Sequence, residues 1–182
     1  MYKRQEDVLS YLKKLDQNER KKLRNLGVRF GRYHIFLFKL FKPSTVSLRT
    51  LLWKNYHEKN EQLEPPTFGL NFLEQDKPSN REFMLLCGFE KFDKFYVRID
   101  ILERLFLMIF NSKNKNNDTE IKLIPDMLNL LGCNKENFIK LLNKMNYKTF
   151  EKQKDLYFKY LPSKKVFKKK NCLLYTSDAA DD

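Results

Sequence analysis

Pro125-Asp-Met-Leu-Asn-Leu-Leu-Gly132 runs directly into Cys133-Asn134 and then Lys135-Glu-Asn-Phe138-Ile-Lys140-Leu-Leu-Asn143-Lys144-Met145. A proline in the first helical position and a glycine just past the last one bracket a short helix. Asn134 then supplies an N-cap, so a second helix opens after a tight turn. In this second helix Phe138, Leu141, Leu142 and Met145 share one face, and Lys140, Asn143 and Lys144 fall on the other. A helix divided in this way buries one side and offers the opposite side to phosphates or base edges. It can equally be the plain solvated face of a helical domain.

Working outward, Phe95–Ile99 reads as a short strand. Asp100 and Glu103 have capping-box spacing and open a helix through Phe110. Asn111–Thr119 reads as a polar loop and Ile121–Ile124 as a strand. Beyond the second helix, Tyr147 is a candidate strand, Phe150–Leu161 a candidate helix, and Ser163–Asn171 a lysine-rich tail. Strand, helix, loop, strand, short helix, tight turn, helix is the order of a helix-turn-helix of winged-helix type.

In the N-terminal half, Val8, Leu9, Tyr11, Leu12 and Leu15 lie at helical spacing over residues 6–14 and just beyond. Asp16 and Glu19 form a capping-box pattern for a second helix, which Gly27 closes. Val28–Phe36, rich in β-branched and aromatic residues, is a strand candidate and merges into a short buried helix at Leu37–Phe41. Pro43-Ser44 starts a helix whose Leu48, Leu51, Leu52 and Tyr56 are expected inside, with Trp53 alongside. Residues 58–80, with Glu64-Pro-Pro66 and Lys77-Pro-Ser-Asn80, read as a linker. Ser79 and Glu82 suggest a further capping box, for a helix ending at Gly88. The expected class is therefore mainly α with short strands (α+β). A helical region over 1–57 precedes the linker, a winged-helix-like domain over 81–150 and a basic tail over 151–171.

The last eleven residues, Cys172-Leu-Leu-Tyr-Thr-Ser-Asp-Ala-Ala-Asp-Asp182, break from the Lys/Asn/Phe style before them. They resemble the translated read-through of a sequencing-library adapter and are set aside from fold reasoning. Without Asp178, Asp181 and Asp182 the formal charge rises from +13 to +16. That excess favours polyanions: a phosphate backbone or an anionic surface. Part of the lysine content also fits the bias of an AT-rich genome. Aromatic residues at 14% supply a core, and few Gly and Pro argue against disorder.

Residues 1–15 are charged throughout, with no signal-peptide apolar region, and the apolar run Leu105–Phe110 is too short to span a bilayer. Cys87, Cys133 and Cys172 lack framework spacing and read as reduced thiols, so a cytoplasmic setting is expected. No phosphate-cradling loop or complete dinucleotide fingerprint occurs, and two histidines with scattered cysteines do not make a zinc set. No catalytic residue and no metal ligand is assigned. His34, inside Tyr33-His-Ile-Phe-Leu-Phe38, reads as a hydrogen-bonded core residue. Arg98, Asp100, Glu103 and Arg104 read as an ion-pair network tying strand to helix, with Arg98 facing a phosphate as the alternative. Arg29 and Arg32 alternate with Phe30 and Tyr33. Aromatics beside arginines can stack bases and hold the backbone, or simply form core and surface.

Several strings act together. Leu26-Gly-Val-Arg-Phe-Gly-Arg-Tyr-His-Ile-Phe-Leu37, Lys42-Pro43 and Leu51-Leu-Trp53 are followed in order by Pro65-Pro66, Gly69-Leu70 and Cys87-Gly-Phe89. Val97-Arg-Ile-Asp-Ile-Leu-Glu-Arg-Leu105 and Pro125–Gly132 complete the set. This series resembles the C-terminal region of alphaproteobacterial superfamily II helicases, relatives of the mitochondrial degradosome RNA helicase, over roughly residues 20–150. One departure is Phe38, where proline is expected. The resemblance implies an ATP-driven enzyme acting on RNA or DNA. Its motor lobes, with the ATP and Mg sites, would lie upstream of this fragment, and both termini would be truncated. The fragment itself is expected to be a non-catalytic accessory region contacting single-stranded nucleic acid through Arg29, Arg32, Lys140, Asn143, Lys144 and Lys148, with no cofactor of its own. Its other expected partners are the motor lobes and a nuclease, with no membrane. Two alternatives stand: a protein-interaction module docking the helicase to a partner, or a stand-alone winged-helix DNA-binding protein.

Overall fold

The computed structural model describes residues 2–4, 10–57, 63–75, 80–116, 120–152 and 155–161. The expected residues 5–9, Ser79, the lysine-rich segment from Ser163 and the segment 172–182 lie outside these. The fold is α+β. Its helices are α1 (Gln17–Asn25), α2 (Pro43–Tyr56), α3 (Arg81–Leu86), α4 (Ile99–Asn116), α5 (Pro125–Leu131) and α6 (Lys135–Lys144). Its strands are β1 (Tyr2–Arg4), β2 (Val28–Phe30), β3 (His34–Leu37), β4 (Phe72–Glu74), β5 (Phe89–Phe92), β6 (Phe95–Arg98), β7 (Glu120–Lys122), β8 (Tyr147–Lys152) and β9 (Asp155–Tyr160).

The strands form three antiparallel sheets, ordered β1-β3-β2, β4-β6-β5 and β7-β9-β8. The same plan therefore recurs three times along the chain. A strand leads, a helix or helix pair follows, and a hairpin returns so that its second strand pairs with the first. At each repeat the helix hands over to the hairpin through one left-handed residue: Gly27 (φ +94°), Gly88 (φ +91°) or Asn146 (φ +64°). This conformation turns the chain out of the helix, and glycine and asparagine adopt it most readily.

The local signals explain most element boundaries. Asp16 and Glu19 form a reciprocal capping box at α1. Pro43 and Pro125 occupy the first turns of α2 and α5, Gly132 ends α5 at φ +70°, and the Asn134 side chain accepts from the Asn137 N–H at the start of α6. α4 presents Ile101, Leu102, Leu105 and Ile109 to the main core. There they meet Val97, Met127, Leu131, Phe138, Leu141, Leu142 and the sheet residues Ile121 and Phe158. Each such side chain contributes about 1.5–3 kcal/mol on burial. A smaller cluster joins Val46 of α2 to Phe83, Met84, Cys87, Phe89 and Tyr96.

Several expectations are corrected. Val28–Phe36 is not one strand: Gly31 to Tyr33 form a turn between β2 and β3. Phe38–Phe41 is a 3-10 turn with no buried residue, Phe38 being 51% exposed. On α2 the inward stripe is Val46, Thr50 and the half-buried Trp53, which stacks near Phe83 at 5.5 Å between centroids. Leu48, Leu51, Leu52 and Tyr56 are 55–84% exposed on the other face. Two helical stripes compete there, and contact with α3 selects the first. The segment expected as a linker contributes β4, which pairs with β6. Asn80, not Ser79, caps α3, accepting from the Glu82 and Phe83 N–H groups. α4 continues to Asn116, through most of the polar stretch expected as a loop. The described residues of Phe150–Leu161 are not helical but supply strands of the β8–β9 hairpin, which also takes residues 151–152 and 155–160 out of the expected tail.

Candidate nucleic-acid interface

α6 divides as its sequence requires. Phe138, Leu141 and Leu142 are fully buried, and Lys140, Asn143 and Lys144 are exposed. The exposed face is not empty of protein, however. Lys144 Nζ lies 2.6 Å from Asp93 in the β5–β6 turn, and Asn137 Nδ2 donates to Glu74 of β4 at 2.9 Å. Lys144 holds the Asp93 carboxyl below its usual range. Glu74 is lowered in the same direction by Lys94 first, with Asn137 and Lys140 adding to it. The acids of the second sheet thus lie against the flank of α6 that a major-groove reader would present.

Arg29 is exposed on β2, opposite Phe36 of β3. Arg32 lies in the β2–β3 turn, its guanidinium 4.7 Å from the Phe110 ring centroid and 5.8 Å from that of Tyr33. That is cation–π packing onto α4. The six expected contact residues therefore fall in three places: the first hairpin, the exposed face of α6, and β8, where Lys148 is exposed. The first hairpin also approaches the last sheet. Burial lifts the Tyr147 phenol above its ordinary value, Tyr33 and Tyr160 add to that, and Arg32 opposes it.

The outer face of the last sheet was not foreseen. Ile121, Tyr147 and Phe158 point into the core, so the alternate residues Lys122, Lys148, Phe150, Lys152, Tyr157 and Lys159 occupy the opposite face. Phe150 and Tyr157 are cross-strand partners with nearly parallel rings, 16° apart in plane and 6.2 Å between centroids. The Lys152 ammonium sits 5.5 Å and 6.0 Å from the two centroids and bonds to Glu120. Lys122 bonds to Asp155, which raises the lysine's pKa. Lys148 and Lys159 face one another across the strand pair, and neither has a carboxylate ion-pair partner among the described residues. The signal for this face is the strict alternation Asp155-Leu-Tyr-Phe-Lys-Tyr160, which marks a half-buried strand.

The most enclosed polar group joins the first two sheets. His34 of β3 is 4% exposed, with Nδ1 2.7 Å from Glu103 of α4 and Nε2 3.6 Å from Glu90 of β5. Glu103 also accepts the N–H groups of Arg32 and Tyr33, the latter at 3.0 Å. Its carboxylate packs so closely on Gly31 that a Cβ there would overlap it. Burial opposes charge on His34, but the hydrogen bond it donates to Glu103 and the neighbouring Glu90 carboxylate outweigh it and raise the pKa above the usual 6.5. Glu103 is therefore not the helix cap its spacing suggests. Asp100 instead takes a two-pronged bond from Arg98, at 2.7 Å and 3.0 Å, which is the strand-side part of the expected ion-pair network, whereas Glu103 turns to the first hairpin.

This arrangement ties the first hairpin to α4 and β5. Burial pushes the Cys87 thiol up to about 12 and the Cys133 thiol up to about 11, so neither is a ready thiolate. Among the described residues, no group of three or more His, Cys, Asp or Glu side chains is placed to hold a metal, and no helix is long and apolar enough to cross a membrane. No family model matches the chain, and neither a curated protein nor a solved structure similar to it is found.

Proposed function

We propose that this chain is a non-catalytic C-terminal accessory region of an ATP-dependent superfamily II helicase, and that it contacts single-stranded RNA or DNA leaving the motor. The observation that carries the reading is the connectivity of the last unit. Its strand β7, helices α5 and α6 and hairpin β8–β9 follow one another in winged-helix order, with the hairpin's second strand paired to the first strand. The net charge of +13 supports a polyanionic partner. Because Asp93 and Glu74 lie against α6, the lysines of the β8–β9 hairpin are favoured over that helix as the contact surface. ATP and Mg would serve the upstream motor. The test is binding of a labelled single-stranded oligonucleotide across a salt series. Each phosphate neutralised lowers the slope of log K against log salt by about 0.7. A flat response, or no binding at low salt, overturns the proposal.

A second reading has its own observation. Leu48, Leu51, Leu52 and Tyr56 form an exposed apolar stripe on α2. Such a stripe favours a protein partner, here the motor lobes of the same helicase. Capture of those lobes that persists in high salt and fails on Leu51→Ser with Leu52→Ser supports docking; capture that salt abolishes rules it out.

A further inference from the structure

We propose that the outer face of the β7-β9-β8 sheet is a base-stacking platform for single-stranded nucleic acid, with Phe150 and Tyr157 as the stacking rings and Lys148 and Lys159 as the phosphate contacts. The inference rests on the nucleic-acid reading above and assigns it a site. Two large rings on the solvent side of a sheet are explained in part as a cross-strand pair that steadies the hairpin. The lysines are not explained that way. Like charges directly opposite one another weaken a strand pair, yet Lys148 and Lys159 are register partners, with Glu120 opposite Lys159 on the other side and no acid opposite Lys148 on β9. The two acids that bond lysines on this face, Glu120 and Asp155, hold Lys152 and Lys122. A bound phosphate between Lys148 and Lys159 would relieve the repulsion.

The geometry favours a nucleotide over a purely anionic partner. Lys148 and Phe150 are two residues apart on β8, and Tyr157 and Lys159 are two apart on β9. Each cation is therefore set about 6.8 Å along the strand from its ring. Every nucleotide step pairs a phosphate with a flat base at such a spacing, and any base has a face to stack. Lys152 crosses both rings, and its ammonium, about half exposed, pairs with Glu120. A base would displace it from the rings and leave its ammonium free for a further phosphate. The rings lie outside the core, so changing them does not remove its packing.

The test uses the full 182-residue chain with two fluorescent probes of equal length, a single-stranded oligouridylate and the same backbone without bases. Phe150→Leu with Tyr157→Leu keeps apolar strand residues and removes both aromatic faces. That variant is expected to bind oligouridylate roughly ten-fold more weakly, and the abasic probe as the original chain does. Lys148→Gln with Lys159→Gln is expected to weaken both probes alike and to flatten the salt dependence. Circular dichroism and urea midpoints confirm that each variant folds. If the original chain binds both probes equally, or the leucine variant binds oligouridylate undiminished, the platform is refuted and the wider reading stands. If the original chain binds neither probe at low salt, the wider reading falls and the platform falls with it.

Discussion

Glu103→Ala strikes the joint between the first hairpin and α4. The carboxylate is 4% exposed and accepts from three donors, the Arg32 and Tyr33 N–H groups and His34 Nδ1. Removing it leaves two backbone donors without this acceptor and takes from buried His34 the nearer of its two carboxylates. Breaking a buried ion pair by deleting one partner costs about 3–5 kcal/mol, and hydrogen bonds to a charged group contribute about 1.5–3 kcal/mol each. The two figures overlap in what they count, so the expected loss is about 4 kcal/mol. With a urea slope of about 2 kcal/mol/M, the unfolding midpoint drops by on the order of 2 M. Glu103→Gln keeps an acceptor oxygen and is expected to lose about half as much. Gly31→Ala, which places a methyl where the carboxylate sits, is expected to fall between the two. Urea titrations followed by circular dichroism measure all three, with exposed Arg104→Ala as the reference. If Glu103→Ala is destabilised by less than about 1 kcal/mol, or no more than the Arg104 variant, the joint does not hold the hairpin.

Three further outcomes are expected. His34 has a raised pKa in the folded chain, so its contribution to stability is complete below the unfolded value of about 6.5 and is lost as pH rises through the higher folded value; urea midpoints should decline over that window and flatten in His34→Gln. Leu51→Ser and Leu52→Ser, at positions 56% and 58% exposed, should each change stability by less than about 0.5 kcal/mol, while Val46→Ala on the opposite face should cost about 1–3 kcal/mol; equal losses would reverse the facing of α2. Cys87 and Cys133, with thiols pushed up to about 12 and about 11, should resist alkylation at neutral pH in the folded chain and react in urea, as peptide mapping by mass spectrometry would show.

Signals confined to a few neighbouring residues were legible in the sequence. Asp16 with Glu19, Pro125 with Gly132, and Asn134 each satisfy backbone groups one turn away, so the composition at those points already names the helix end. The hairpin at Gly31–Tyr33 was not legible, because its turn, beyond its own Gly31–His34 backbone bond, is held by a carboxylate from α4 that lies far away in sequence. The facing of α2 was not legible either. Val46, Thr50 and Trp53 are as helically spaced as Leu48, Leu51, Leu52 and Tyr56, and only Phe83 of another helix decides between them. The last strand was readable and was misread: Leu156, Phe158 and Tyr160 alternate with Asp155, Tyr157 and Lys159. Of the candidate site, the split of α6 was visible in its spacing. The facing of Lys148 with Lys159 was not, since it depends on strand register.

The bond between the Arg32 N–H and Glu103 spans 71 residues of chain. During synthesis at about 5–20 residues per second, roughly 4–14 s pass between the appearance of the first hairpin and that of the carboxylate that closes its turn. For that interval β3 lacks the helix it packs against, and Tyr33 lacks the Phe106 ring that lies 4.4 Å from its own. A ribosome that stalls before α4 is made would release a first sheet whose hairpin turn lacks its Glu103 acceptor, and such a product would be more open to chaperones and proteases. The turn of the first hairpin is therefore completed by a side chain that is translated some 70 residues after it.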